Sequence, residues 1–505
     1  MTMASNDDLL RSPIQAIPPE LLQYVFLKNT ELNVKHDRLK TARYSSQVCR
    51  SWRSLLFESP RVWSRLLDLD YLERSKDEWK EEVISRIGEA PIWIEGRIKP
   101  STYPFMMSVL EKKWRNVEIL QLRGSLADFP TADWSFLGRE APNLQCFFVH
   151  FADSASDRNS ITSRQYSSVL FNNVAPRLRQ FEFSSACLVE VSAPWLSNLH
   201  SIIFSIGHTV SNIFSVLSNT PQLERLSFQP QSILAEDDMT KLPTINLPRL
   251  ELLRLDYLQC SEALPFLEFI NPSPGCLLSL EKHRSFGRIR HLDTPAEAKQ
   301  LFRAALRWSK MYCAGYLPKE ITLHAIRGIE CIIFVWNHSH QSTKERPRCI
   351  TTSLEAQLPH NDIDSNSFWR PIIDSYSFSS VTRLHLTILA YKSHMLHFLR
   401  MFSSVTDLES DAGSLDVLRK RSLDETLSHF FPQLHTLHFN PECAAASQIE
   451  IICDFLEHRV AIGLPVSVLY IDNFTGFLPD SGLDEKVQNR IQQIDGLLVK
   501  WDQKD

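Results

Sequence analysis

Three histidine pairs stand at spacings that metal chemistry can use: His338 with His340, His394 with His397, and His435 with His438. His394 and His397 share one helical face in "SHMLHFL", so two imidazoles could in principle reach one zinc ion. No H-E-x-x-H motif and no carboxylate in that stretch completes a site. His435 and His438 read as strand positions in "FPQLHTLHF". Ten cysteines are scattered from Cys49 to Cys453 with no C-x-x-C pair, which suits buried thiols in a reducing compartment. The phosphate-cradling loops and the G-x-S-x-G elbow are absent. The expectation is a chain that performs no chemistry of its own and needs no cofactor or metal.

What the sequence offers instead is apolar surface. In "IPPELLQYVF", Pro18 or Pro19 can open a helix where a missing N–H costs nothing, and Glu20 suits the positive helix start. Leu21, Leu22, Val25 and Phe26 follow at helical spacing and cover more than one narrow stripe. A second helix is expected from about Arg38 to Phe57, carrying Val48, Cys49, Trp52, Leu55 and Leu56 until Ser59-Pro60 stops it. Two such helices can bury one face on each other, and the surplus needs a partner.

These residues resemble the F-box, the helical module that docks on the Skp adaptor of cullin-based ubiquitin ligases. The family's Pro-Pro start falls on Pro18 and Pro19, and its first-helix apolar residues fall on Leu21, Leu22, Val25 and Phe26. V-C-R-x-W falls on Val48, Cys49, Arg50 and Trp52, and S-P-x-x-W on Ser59, Pro60 and Trp63. "KNTELNVKHDRLKTA" between the halves is longer and more charged than in the tightest members. The resemblance implies an adaptor contact through Pro18, Pro19, Leu21, Leu22, Val25, Phe26, Val48, Cys49, Trp52, Leu55 and Leu56. Residues 14–65 hold nine lysines and arginines against four acids, in a chain of net charge −5, which suits an acidic protein partner. No helix suited to reading DNA is recognisable, so nucleic acid is not expected.

Downstream, "APNLQCFFV", "APRLRQFEF", "TPQLERLSF", "LPRLELLRL" and "FPQLHTLHF" all read Pro-x-Leu-x-x-Φ-x-Φ, where Φ is apolar. Composition alone predicts fewer than one such match. Weaker copies begin at Asn116, Asn198, Val381, Val405 and near Val468. The leading residues Leu178, Leu199, Leu223 and Leu250 recur at the interval of leucine-rich repeats, one short strand and a return per unit. Stacked units would share a core, and period-2 alternation would turn the intervening residues to the opposite, concave face. That face is expected to hold Gln180, Glu182, Ser184, Arg225, Ser227, Gln229, Arg254, Asp256, Arg383, His385, Thr436, His438 and Asn440. Its mixed charges suit a protein surface as substrate.

The expected architecture is α/β. Residues 1–12 are a disordered N-terminus, 13–66 the F-box, and 67–90 a helical linker or cap with Trp79, Val83 and Ile87 on one face. Residues 91–478 form a leucine-rich-repeat-like solenoid (horseshoe), irregular over about 271–378, where "LPKEITLHAI" and "IECIIFVW" read as strands of the stack. Residues 479–505 form a capping helix that aligns Leu483, Val487, Ile491, Ile494, Leu498 and Trp501. An F-box ahead of Pro-x-Leu repeats looks like the F-box proteins abundant in mushroom-forming fungi. This implies a substrate-recognition subunit of an SCF-type ligase, bound to a Skp-type adaptor and through it a cullin; the alternative is a non-degradative F-box scaffold or a leucine-rich-repeat interaction module with no ligase role. With no signal sequence and no long apolar run, a cytoplasmic or nuclear protein with no membrane association is expected.

Overall fold

The computed structural model describes residues 17–31, 38–125, 134–152, 169–183, 190–205, 208–229, 233–234, 242–255, 258–279, 319–325, 333–334, 352–353, 378–388, 398–422, 430–439, 446–472 and 485–502, with scattered helical positions between 297 and 311. It is mixed α/β with parallel sheets, and it divides into two compact units at Arg249/Leu250. Among the described residues no helix is long and apolar enough to cross a membrane.

The N-terminal unit opens with four helices: α1 (Pro19–Lys28), α2 (Arg38–Val48), α3 (Arg50–Phe57) and α4 (Pro60–Trp63). Pro19 occupies the first turn of α1 with Glu20 beside it. The single helix expected over 38–57 is two. At Cys49 the backbone turns extended (φ −155°, ψ 172°), and its Sγ accepts the Trp52 N–H, capping α3. A thiol at this position restarts the helix although the apolar spacing runs on unbroken. The Ser-Pro-x-x-Trp close is equally physical. Ser59 donates to the Leu55 carbonyl at 2.6 Å, Pro60 opens α4, and buried Trp63 donates its indole N–H to the Leu56 carbonyl at 2.7 Å.

After β1 (Leu67–Asp68), α5 (Leu69–Leu72) and α6 (Asp77–Ile87) comes a run of parallel strands. These are β2 (Ile92–Arg97), β3 (Val117–Ser125), β4 (Cys146–Ala152), β5 (Gln180–Phe183), β6 (Ser201–Phe204) and β7 (Arg225–Phe228), paired in chain order. The repeat motif explains itself here. The N–H groups of Leu144, Leu178 and Leu223 donate to Ala141, Ala175 and Thr220, three residues back, with Pro second in each turn. Proline presets φ there and lacks an N–H that the turn does not need. Each leading leucine is fully buried. The next residue's carbonyl then accepts two successive N–H groups from the following unit: Gln145 from Arg179 and Gln180, Arg179 from His200 and Ser201, His200 from Glu224 and Arg225.

Behind this sheet the returns carry an aromatic chain. Trp134, Phe136, Trp114, Phe171 and Trp195 meet in succession at centroid distances of 5.6, 4.9, 6.3 and 5.8 Å. Phe171 has φ of +57° and no exposed surface. A left-handed aromatic residue is strained by about 1–3 kcal/mol, and its packing on Trp114, Phe147 and Trp195 offsets that cost.

In the C-terminal unit β8 (Leu252–Arg254) pairs in parallel with β9 (Leu277–Ser279). A six-stranded parallel sheet follows: β10 (Glu320–Ala325), β11 (Arg383–Ile388), β12 (Asp407–Ser410), β13 (Thr436–Phe439), β14 (Val468–Asp472) and β15 (Leu498–Asp502). The same turn and double-acceptor carbonyl recur at Leu434 and His435. Phe378, Phe398 and Phe402 close a buried triangle behind it. Helices 412–422 and 446–461 pack on each other.

Two expectations are corrected here. Within "IECIIFVW" the described residues, Ile333–Phe334, pair antiparallel with Thr352–Ser353, outside the parallel sheet. The described C-terminal helix, Glu485–Gln492, ends before Leu498 and Trp501, which lie in β15. Gly496, at φ of +74°, ends the helical course, and the period-2 run after it joins the sheet. Ile491 and Ile494 are buried as expected.

Candidate docking surfaces

The first surface is built by α1 to α4. α3 packs against both α1 and α2, and the apolar residues divide between inside and outside. Phe26 is 3% exposed and meets Trp52 edge-on at 5.2 Å, while Leu22, Leu56, Leu39 and Val62 close the interior. Leu21, Val25 and Val48 stay 56%, 47% and 56% exposed. Pro18 and Pro19 are exposed, and Cys49, Trp52 and Leu55 are half-buried. Leu22, Phe26 and Leu56 therefore lie beneath this surface and support it. The exposed set also includes Ile17, Tyr24 and Tyr44, which the sequence reading passed over. Tyr24 could have been found, because it lies three residues after Leu21 on the same helical face.

Cations surround this surface: Arg43, Arg50, Arg53 and Arg61 are exposed, and Lys28 lies 5.5 Å from the Tyr24 ring. The Cys49 thiol is pulled below its ordinary range by hydrogen bonds from Ser51 and the Trp52 N–H. Two arginines fasten these helices to α6 and β2. The Arg86 guanidinium lies 4.1 Å over Phe57 and 4.6 Å over Trp63, and also pairs with Glu82. Buried Arg38 donates to the Thr30 and Arg65 carbonyls and ion-pairs with Glu95 on β2.

The second surface is the outward face of each sheet. In the N-terminal unit, register aligns Glu95, Gln121, Phe148, Glu182, Ile203 and Ser227 in one row. A neighbouring row aligns Arg97, Arg123 and His150. Gln180 and Arg225 are exposed, and Ser227 and Gln229 half-buried. Glu182 is buried, 3.3 Å from His150 and 3.5 Å from the Gln229 amide, so it is less available than expected. Arg97, Arg123 and His150 escaped the sequence reading; the signal was charge at alternating positions in "IWIEGRI" and "ILQLRGS".

In the C-terminal unit Arg254 and Arg383 are exposed and Thr436 half-buried. His385 lies between Glu320 (2.8 Å) and Glu409 (2.7 Å), whose hydrogen bonds outweigh its burial and raise it to about 9. His438 stacks on Tyr470 at 4.6 Å with rings 4° from parallel, and the Tyr470 hydroxyl accepts from Lys500 at 3.0 Å. Ser184, Asp256, Asn440 and the pairs His338/His340 and His394/His397 lie outside the described residues. Among the described residues no three His, Cys, Asp or Glu side chains are grouped to hold a metal ion.

Compared with known proteins, the chain matches no family model and no curated sequence.

Proposed function

We propose that this chain is the substrate-recognition subunit of an SCF-type cullin ubiquitin ligase. In this reading α1 to α4 are an F-box that docks on a Skp-type adaptor. The parallel-sheet units are a leucine-rich-repeat-like solenoid that holds a protein substrate. The chain then acts by proximity, raising the effective concentration of substrate lysines near a conjugating enzyme carried elsewhere in the complex.

One observation carries the reading. A module of four short helices closes its own interior with Phe26, Trp52 and Leu56, yet leaves Leu21, Tyr24, Val25, Tyr44 and Val48 exposed among cations. Exposed apolar side chains on so small a module are what a partner interface requires. The test is co-purification of the adaptor and a cullin with tagged protein. Replacing Leu21 and Val25 by Asp is expected to abolish both while far-ultraviolet circular dichroism stays unchanged. Full retention would sink the docking assignment. Phe26→Ala is a poorer test, because it opens the module's own core.

A further inference from the structure

We propose that the outward face of the N-terminal sheet, centred on Arg97 and Arg123, binds an extended acidic peptide segment whose oxyanions are carboxylates or phosphates. The proposal rests on the assignment of the sheet face as the receiver of a protein substrate, and names the chemistry of that substrate.

The argument begins from charge pairing. Arg97 and Arg123 are direct ladder partners on adjacent parallel strands, and both are exposed. Like charges set opposite each other across strands destabilise a sheet. Among the described residues neither guanidinium has a carboxylate partner, whereas nearby Lys99 pairs with Glu73, Arg86 with Glu82 and Lys113 with Glu89. Two nearby acids are committed. Glu95 is held by Arg38, and the Asp70 carboxylate accepts the Arg97 backbone N–H. Two neighbouring guanidinium forks without a partner make a receptor for oxyanions.

Spacing then selects the form of the ligand. Arg225 is exposed four strands on from Arg123 and four residues back in register, also without a described carboxylate partner, at roughly 23 Å by strand spacing and rise. An extended peptide covers that span in about seven residues. Three cations are few for a nucleic acid, and the chain's net charge of −5 repels a long polyanion. A short peptide with acids near each end fits both facts.

The experiment uses the full chain and fluorescein-labelled octapeptides: one of glutamates, one of alternating phosphoserine and glycine, and one of glutamines. Binding is read by anisotropy. The glutamate or phosphoserine peptide should bind and the glutamine peptide should not, and the tighter of the first two identifies the source of the oxyanion. Arg97→Gln with Arg123→Gln should weaken binding by about tenfold or more, while Lys76→Gln with Lys112→Gln, the same charge loss elsewhere, should change it less than about twofold. Equal weakening by both pairs, or none by the first, overturns the proposal, as does equally tight, equally sensitive binding of a hexathymidylate. Adaptor co-purification is measured on the same variants. Its loss would count against the docking assignment and not against this site.

Discussion

The two sheets are built from one recurring unit and turn different chemistry outward. In the N-terminal unit Arg97, Arg123 and Arg225 stand without carboxylate partners among the described residues. In the C-terminal unit the outward face neutralises itself: His385 sits between Glu320 and Glu409 of the two flanking strands, His438 stacks on Tyr470, and the Tyr470 hydroxyl accepts from Lys500. The lesson is that a Φ-x-Φ strand leaves its outward residues free to vary. Register then decides whether their charges meet a neighbour or wait for a ligand.

The largest effect should come from the cores. Trp195→Ala cuts the aromatic chain at its contacts with Phe171 and Phe181, and should cost about 3–5 kcal/mol in urea denaturation. Phe402→Ala opens the closed triangle and should cost a similar amount. A loss under about 1 kcal/mol from either would break the claim that both sheets rest on aromatic packing. Arg38→Met comes next. It leaves Glu95 without its cation, and the partial exposure of Glu95 trims the expected cost to about 2–3 kcal/mol. A double-mutant cycle with Glu95→Gln should recover part of that loss; strict additivity would mean that the pair is not coupled.

Smaller, and sharper as a contrast, is the pH response. His208 in the N-terminal unit is buried against Phe204, and desolvation lowers it to about 4. It resists protonation while the unfolded chain takes a proton, so stability is lost as pH falls from about 6.5 toward 4. His385 behaves oppositely. Its raised value of about 9 gives stabilisation that is complete below about 6.5 and lost as pH rises through 9. His208→Leu should flatten the acid limb of the stability curve and His385→Gln the alkaline limb. Curves that keep both slopes in both variants would refute the assignment of these two groups.

Much of the strand pattern was legible because Pro-x-Leu-x-x-Φ-x-Φ encodes a turn, a core anchor and a strand within nine residues. All five full copies and the five weaker ones lead into strands. The break at Cys49 was not legible, since "QVCRSWRSLLF" keeps helical periodicity and the interruption depends on one thiol accepting one N–H. Nor was β15, because "DGLLVKW" satisfies a helical and an alternating reading alike, and only the conformation of Gly496 decides between them. Within the candidate docking surface the residue types were readable but the inside–outside split was not. Phe26 and Val25 are neighbours of similar hydropathy, and only the position of Trp52 sends one inward.

Arg38 also sets a mechanical condition. By holding the Thr30 and Arg65 carbonyls and Glu95 together, it joins the N-terminal helices to the strand that carries Arg97. Little swivel is left at that joint. A segment bound at Arg97, as proposed above, would sit at a fixed height above those helices, with the sheet as a ruler graduated in strands. A segment bound one strand farther along the sheet would sit about 4.8 Å farther away.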